Sequence, residues 1–572
     1  MLQFVSSLRL ALFPLPHLFT LACCVISPLL LQASAKDTAV APNHASADAN
    51  PAHGSQSDEE IRRLHQLMTI AESSGYTDTA TSEQVELYLR ELASCWDHAK
   101  LASVGKTNEG RTLWGLVLEP QIAAEHPLTV LVIAGIHSGE CDGKEGMLAL
   151  VRDMAVGRIE SQAWKSLRLI VVPNFNADGN TRRGLLNRPG QAGPSAGMGI
   201  RENAQGLDLN RDFMKLESPE VRSLVAALTN YDVDVLIDMH TTNGSLHRYE
   251  LTYDIPHNPA TPDEVDRFLR RELMPKVTAA MQDEGFSTYY YGNFNHDYTR
   301  WETYGHQPRY STEYMGVRGR IGILAESYSY APYETRVKAS YAFAKRLFEH
   351  LSKDAAKIRQ LIDRSASENM PGKSVPIGGV IGLAEKNVSI KGYQGSRREL
   401  PRSPFGPEAA AAYKAHDYTV ELWNKAQVSK SVILPTYYAL DAQCVSSVRC
   451  LVAHGIDVKQ LAAPQTLTAQ QLTTKKVNRE PPYQGHASLK VTVDTQDVEV
   501  ELPAGTFIIE TAQPLGALAA YLLEPETDDG LVTWNFFDSV AVEGRVFPTL
   551  RVTEAIAAEH LSPGTILSLN EE

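Results

Sequence analysis

Three short stretches, far apart in the chain, carry residues able to do chemistry together. They are His137-Ser138-Gly139-Glu140 in VIAGIHSGECDGKEG, His240 in VLIDMHTTNG, and Glu326 in IGILAESYSYAPYETRV. Two imidazoles and one carboxylate make a three-ligand site for Zn²⁺ that leaves a fourth position for water, and a further carboxylate can work on that water. The chemistry this predicts is metal-assisted hydrolysis. An isolated H-x-x-E is a weak signal, because polar loop residues produce it often. Asp208-Leu209-Asn210-Arg211, in AQGLDLNRDF, adds weight. Asp208 can accept the second N–H of a metal-bound imidazole and fix its tautomer. Arg211 with Asn210 can grip a carboxylate through two parallel hydrogen bonds.

The elements around these residues explain how they could meet. Leu128–Ile136, LTVLVIAGI, is a continuous apolar run of the buried-strand type, and His137 follows it directly. DVDVLID reads as a strand ending just before His240, RIGILAES as a strand carrying Glu326, and Leu167–Asn176 as a strand ending at Asn176. Open α/β sheets bind ligands at the carboxyl ends of their strands, so residues distant in sequence would converge on one edge. Helices are predicted at Ser82–Leu92, at Gly143–Met154, after Ser218-Pro219-Glu220 (an N-cap, an N1 proline and a first-turn acid) and from Thr335 to about Asp363. This alternation predicts an α/β fold: a mixed, mostly parallel sheet with helices on both faces. Near Pro371 the composition shifts towards alternating Val, Leu and Ile, as in KVTVDTQDVEVELPAGTFIIE, and residues 372–572 are expected to form a smaller β-rich accessory region. The catalytic domain is then expected at 59–371, after a disordered lead-in at 36–58.

Bulk properties narrow the partners. With 572 residues the chain is too long for one core. Its formal net charge of −14 argues against nucleic acid or an anionic membrane surface. Residues 1–35 read as a secretory signal: Arg9 closes the basic start, an apolar stretch broken by Pro14, Pro16 and Pro28 follows, and Ala33-Ser34-Ala35 fits a cleavage site. A membrane anchor is the alternative. Export to periplasm or medium is the expectation, with no stable span in the mature chain. Cleavage there would leave Cys95, Cys141, Cys444 and Cys450, and the last two could be bridged or be separate buried thiols.

The motifs HSGE, NADG (Asn176–Gly179), LDLNR, DMH and ILAES stand in the order found in one known family. Over residues 115 to 350 the sequence resembles the zinc carboxypeptidases of the carboxypeptidase A/B type, and its C-terminal part looks like the appended region of some larger bacterial members. The resemblance implies a phosphorylase/hydrolase-like fold and one Zn²⁺ per chain on His137, Glu140 and His240. It implies Glu326 as general base and proton shuttle for hydrolysis of a C-terminal peptide bond by metal-activated water. Asn210 and Arg211 match the pair that binds the substrate's terminal carboxylate. Arg201 matches the arginine that polarises the scissile carbonyl, with Arg188 as runner-up. Tyr314 is favoured as the tyrosine that caps the substrate, with Tyr304 and Tyr310 in competition. Ala177 stands where many members carry proline, and the pocket residue that sets side-chain preference is not placed. The basic residues of Arg309–Arg320 could draw an acidic substrate, although solvated surface charge is the favoured reading. Two other functions compete: a zinc amidase of the same fold acting on peptidoglycan stem peptides or N-acyl amino acids, and a non-catalytic binding protein. No G-x-S-x-G element supplies a serine nucleophile.

Overall fold

The computed structural model describes residues 57–122, 126–368, 370–394 and 413–563. The expected signal segment, 1–35, and nearly all of the expected lead-in lie outside the described residues. The first helix, Asp58–Gln66, is held at its start by a capping box between Ser57 and Glu60. No helix among the described residues is long and apolar enough to cross a membrane.

The first ten strands run in chain order: β1 (Ala99–Lys106), β2 (Thr112–Leu118), β3 (Leu128–Ala134), β4 (Leu167–Val172), β5 (Val235–Thr242), β6 (Leu251–Asp254), β7 (Thr288–Tyr290), β8 (Asn293–Phe294), β9 (Arg300–Glu302) and β10 (Ile321–Tyr328). Eight of them form one sheet in the order β1-β2-β4-β3-β5-β10-β6-β7. Its centre, β4-β3-β5-β10, is parallel, and the β1-β2, β2-β4 and β10-β6 pairings are antiparallel. The mixed, mostly parallel sheet expected from the sequence is therefore present.

The period-two alternation of strand side chains divides the apolar residues between two faces. Val130, Val132 and Ala134 of β3 pack with Ile237, Met239, Ile323 and Ala325 beneath helices Asp142–Ala155 and Tyr333–Ser367. Leu131 and Ile133 face the other way, with Leu236, under helix Pro219–Asn230. That helix begins as its sequence predicts: Ser218 Oγ accepts from Val221 N at 3.2 Å and Pro219 takes the first turn.

The second face is not closed by its own helix alone. Its core runs on through Tyr438, Leu440, Leu451, Leu518, Leu522 and Trp534 of the C-terminal region. Residues 55–572 form one compact unit. The C-terminal region is β-rich, as expected, with a seven-stranded sheet built around the long hairpin of Gln465–Arg479 and Leu489–Leu502. A second sheet is shared: strand Ala415–Trp423 pairs in parallel with β9, placing Glu421 opposite Arg300. None of the four described cysteines is bridged, and Cys450 is buried against the Met214 carbonyl.

A buried ion pair ties these layers together directly beneath the candidate site. Asp142 accepts from Arg336 Nε (2.8 Å), Thr241 Oγ1 (2.6 Å) and Ser327 Oγ (2.7 Å). Both partners are fully buried, and they join two helices to β5 and β10.

Candidate metal centre

Each candidate ligand owes its place to the sheet. Gly135, at φ 69°, turns the chain out of β3 in a conformation that side chains resist, and its carbonyl accepts from Asn176 N at 3.0 Å. His137 follows on that turn. His240 lies inside β5, not after it, because the ladder to β10 continues through His240 and Thr241. Glu326 of β10 stands opposite His240 in that register. Gly139 is required by space: a Cβ there would meet Arg188 Cδ at 2.5 Å and the Gly199 carbonyl at 2.8 Å.

The donor atoms of His137, Glu140 and His240 lie within 4.8 Å of one another, and all three residues are buried. His137 Nε2 contacts Asp208 Oδ1 at 3.0 Å, and His240 Nε2 contacts Asp238 Oδ2 at 2.9 Å. A proton on each Nε2 satisfies both carboxylates. Each Nδ1 then presents a lone pair to Glu140, at 3.2 Å from Oε1 and 2.9 Å from Oε2 respectively. Acceptors facing acceptors at that distance repel unless a cation lies between them. Two imidazoles, one carboxylate and fixed tautomers suit a zinc ion with an open fourth position.

The surrounding charges hold this arrangement. Burial opposes ionisation of Glu140, but Arg188 and His137 outweigh it and keep the carboxyl well below its ordinary range. Arg188 commits all its nitrogens: Nη1 to Glu140 Oε1 (2.9 Å), Nη2 to the Thr241 carbonyl (3.0 Å) and Nε to Gln191 (2.7 Å). Asp208, likewise depressed against burial by His137 and the flanking arginines, accepts from Arg201 Nε (2.9 Å) and Nη2 (2.8 Å). Arg201 Nη1 faces the His137 lone pair at 3.2 Å from the mouth of the site. Glu326 is different. Enclosure by protein, reinforced by Glu140 and offset by His240 and Arg188, pushes its carboxyl up to about 8. Its Oε2 has no hydrogen-bond partner among the described residues.

One cleft gathers His137, Glu140, His240, Glu326, Arg201, Asn210 and Arg211, together with Arg188, Tyr291, Tyr304 and Tyr310. Asn210 is pinned by Ser311 N donating to its Oδ1 at 2.9 Å. Tyr314 is not brought there. It sits on a helix, Ser311–Val317, that is buried on every side, and its hydroxyl meets His454 Nδ1 at 2.6 Å in the core. The expectation that it caps a substrate fails on this packing. The basic segment is also neither substrate-facing nor free surface: Arg309 pairs with Asp529, Arg318 donates to the His454 carbonyl, and Arg320 bridges Asp232 and Asp234. Asp238 was missed from the sequence, although it lies two residues before His240 and so on the same strand face.

Residues 85–344 match the family described as zinc carboxypeptidase. The chain carries a zinc carboxypeptidase domain. That domain places the protein among the metallopeptidase hydrolases, whose family depends on zinc. The chain is 23% identical over 514 residues to carboxypeptidase 2 of Trichophyton tonsurans, covering 84% of this chain and 88% of the relative. It is 26% identical over 162 residues to carboxypeptidase D of Homo sapiens, covering 26% of this chain and 11% of that protein. Among solved structures, a metallo-carboxypeptidase from Burkholderia cenocepacia aligns at a TM-score of 0.37 with 17% identity, over 48% of this chain and 70% of the other.

Proposed function

We propose that this domain is a zinc-dependent metallocarboxypeptidase that removes the C-terminal residue of a peptide. The observation that carries the reading is one cleft holding a three-donor metal site, an unpartnered buried carboxylate oxygen and an Asn-Arg pair. When bound, a single zinc ion on His137, Glu140 and His240 supplies a Lewis acid that polarises a carbonyl and acidifies a water.

The chain's own residues perform the rest. Arg211 and Asn210 hold the terminal carboxylate and so fix which bond is presented. Glu326, kept unpartnered and with a raised proton affinity, takes the proton of the attacking water at Oε2 and returns it to the leaving amine. Arg201 is better suited than Arg188 to meet charge developing on the carbonyl oxygen. Its side chain is the more exposed of the two and its Nη1 reaches the mouth of the site, whereas the nitrogens of Arg188 are committed to Glu140, the Thr241 carbonyl and Gln191. Tyr310, a cleft residue with the Arg211 guanidinium 4.4 Å over its ring, replaces Tyr314 as the capping tyrosine. Residues 59–371 are read as the catalytic domain and 372–572 as a region docked on it. The leader-like first 35 residues support export.

Metal analysis of the purified protein is the first test. One zinc per chain is expected, lost in His240→Ala. Hydrolysis of dansyl-peptides with free C-termini is expected alongside it. Turnover of muropeptides alone would replace this reading with the amidase one.

A further inference from the structure

The Asn210-Arg211 side of the cleft receives a visitor from far along the chain. Tyr483-Gln484-Gly485-His486 forms the tip of a hairpin in the C-terminal region, closed by Tyr483 N to the His486 carbonyl (2.8 Å) and His486 N to the Tyr483 carbonyl (3.0 Å). Both central residues have positive φ, 51° at Gln484 and 82° at Gly485. This is the tight two-residue turn whose twist suits a hairpin. Glycine adopts that conformation freely; glutamine does so against a steric penalty, and such strain persists where surrounding contacts demand it.

The contacts are on the candidate site. Tyr483 Oη accepts from Arg211 Nε at 2.9 Å, and Gln484 Oε1 accepts from the backbone N–H of Asp208 at 3.2 Å. Arg211 Nη1 donates to the Asn210 carbonyl at 2.6 Å. The guanidinium is thus held along one edge, and its Nη2 makes no hydrogen bond to a described residue. The tip itself is anchored, because His486 Nε2 meets Glu217 Oε1 at 2.7 Å. A long flexible side chain loses entropy when a ligand fixes it, so a partner that fixes it beforehand strengthens binding.

We propose that Tyr483 is a positioning residue for Arg211, so that the C-terminal region completes the subsite for the substrate's terminal carboxylate. This rests on the carboxypeptidase reading of that subsite. Tyr483 does not touch the reacting atoms, and its effect is on substrate binding, not on proton transfer at Glu326.

The test is steady-state kinetics of the full-length, zinc-loaded protein on a dansylated tripeptide with a free C-terminus, using Tyr483→Phe, Arg211→Gln and the double variant. Loss of one such hydrogen bond is expected to raise KM about fivefold in Tyr483→Phe. Its kcat, zinc content and Tm should remain those of the wild type. In the Arg211→Gln background the Tyr483 substitution should add nothing, since the group it positions is gone. An unchanged KM in Tyr483→Phe, or an equal increase with and without Arg211, overturns the proposal while leaving the carboxypeptidase reading intact. An unchanged KM in Arg211→Gln overturns the carboxylate subsite itself, and Tyr483's role with it.

Discussion

The two sides of the cleft manage buried acids in opposite ways. On the metal side every carboxylate meets a cation or an imidazole: Glu140 has Arg188, Asp208 has Arg201 and His137, Asp238 has His240, and Asp142 has Arg336. Behind Tyr304, whose hydroxyl meets Glu313, Asp254 and Glu313 are fully buried without a close cation among the described residues. Asp254 accepts from Ile255 N and bonds Thr303, and Glu313 lies 3.0 Å from His257 Nδ1. Burial pushes Asp254 up to about 7 and Glu313 well above its ordinary value, while it drives His257 down to about 3. The first side is a lattice of charges that fixes geometry. On the second, burial without a paired charge favours the neutral form of each acid.

The strongest challenge to this division is Glu326→Gln. An acid-base group typically contributes 10²–10⁴-fold, so kcat should fall by at least about a hundredfold, with zinc retained and KM little changed. Wild-type turnover in that variant would remove the role assigned to its free oxygen. Arg336→Met comes next. It leaves Asp142 buried and uncompensated, a change that generally costs about 3–5 kcal/mol, to be read as a lowered urea midpoint. If stability were unaffected, the charge lattice would not be structural.

Asp254→Asn probes the second side. The folded state keeps this proton up to about pH 7, whereas the unfolded chain releases it near 3.8. The native acid therefore favours folding less and less as pH rises through that interval. Asparagine imitates the protonated form at all pH values. The Tm of the variant relative to wild type should climb between pH 4 and pH 8, and a constant difference would show that Asp254 is ionised. The smallest effect is expected from Tyr314→Phe. It removes a core hydrogen bond worth about 1 kcal/mol and should leave KM for peptides unaltered. A raised KM would return Tyr314 to the substrate side.

The metal side was the more legible in the sequence for a physical reason. Its residues sit in or beside strands made of continuous apolar runs, and β3, β5 and β10 could be drawn from those runs within a few residues. The end of β5 was drawn short at Asp238 because polar residues interrupt the run there, yet the ladder continues to Thr242. Asp238 itself was readable from period two. The other side depends on contacts that local patterns do not encode. Between Tyr304 and Arg320 no periodicity tells which tyrosine faces the cleft, and Tyr314 proved to be packing. Nothing near Arg211 announces a partner 272 positions onward. Pairing of β9 with strand Ala415–Trp423 is equally nonlocal. The leader-like first 35 residues lie outside the described chain.

The continuous second core has a consequence for anyone wishing to handle the enzyme in pieces. Severing the gene at Pro371 would remove the C-terminal part of the core that Leu224 and Leu228 share with Tyr438, Leu451 and Leu522, where a fully buried side chain is worth about 1.5–3 kcal/mol. The fragment would keep its motifs intact and yet present a greasy flank to water. What looks in one dimension like an enzyme with a detachable appendage is in three dimensions a single heritable body.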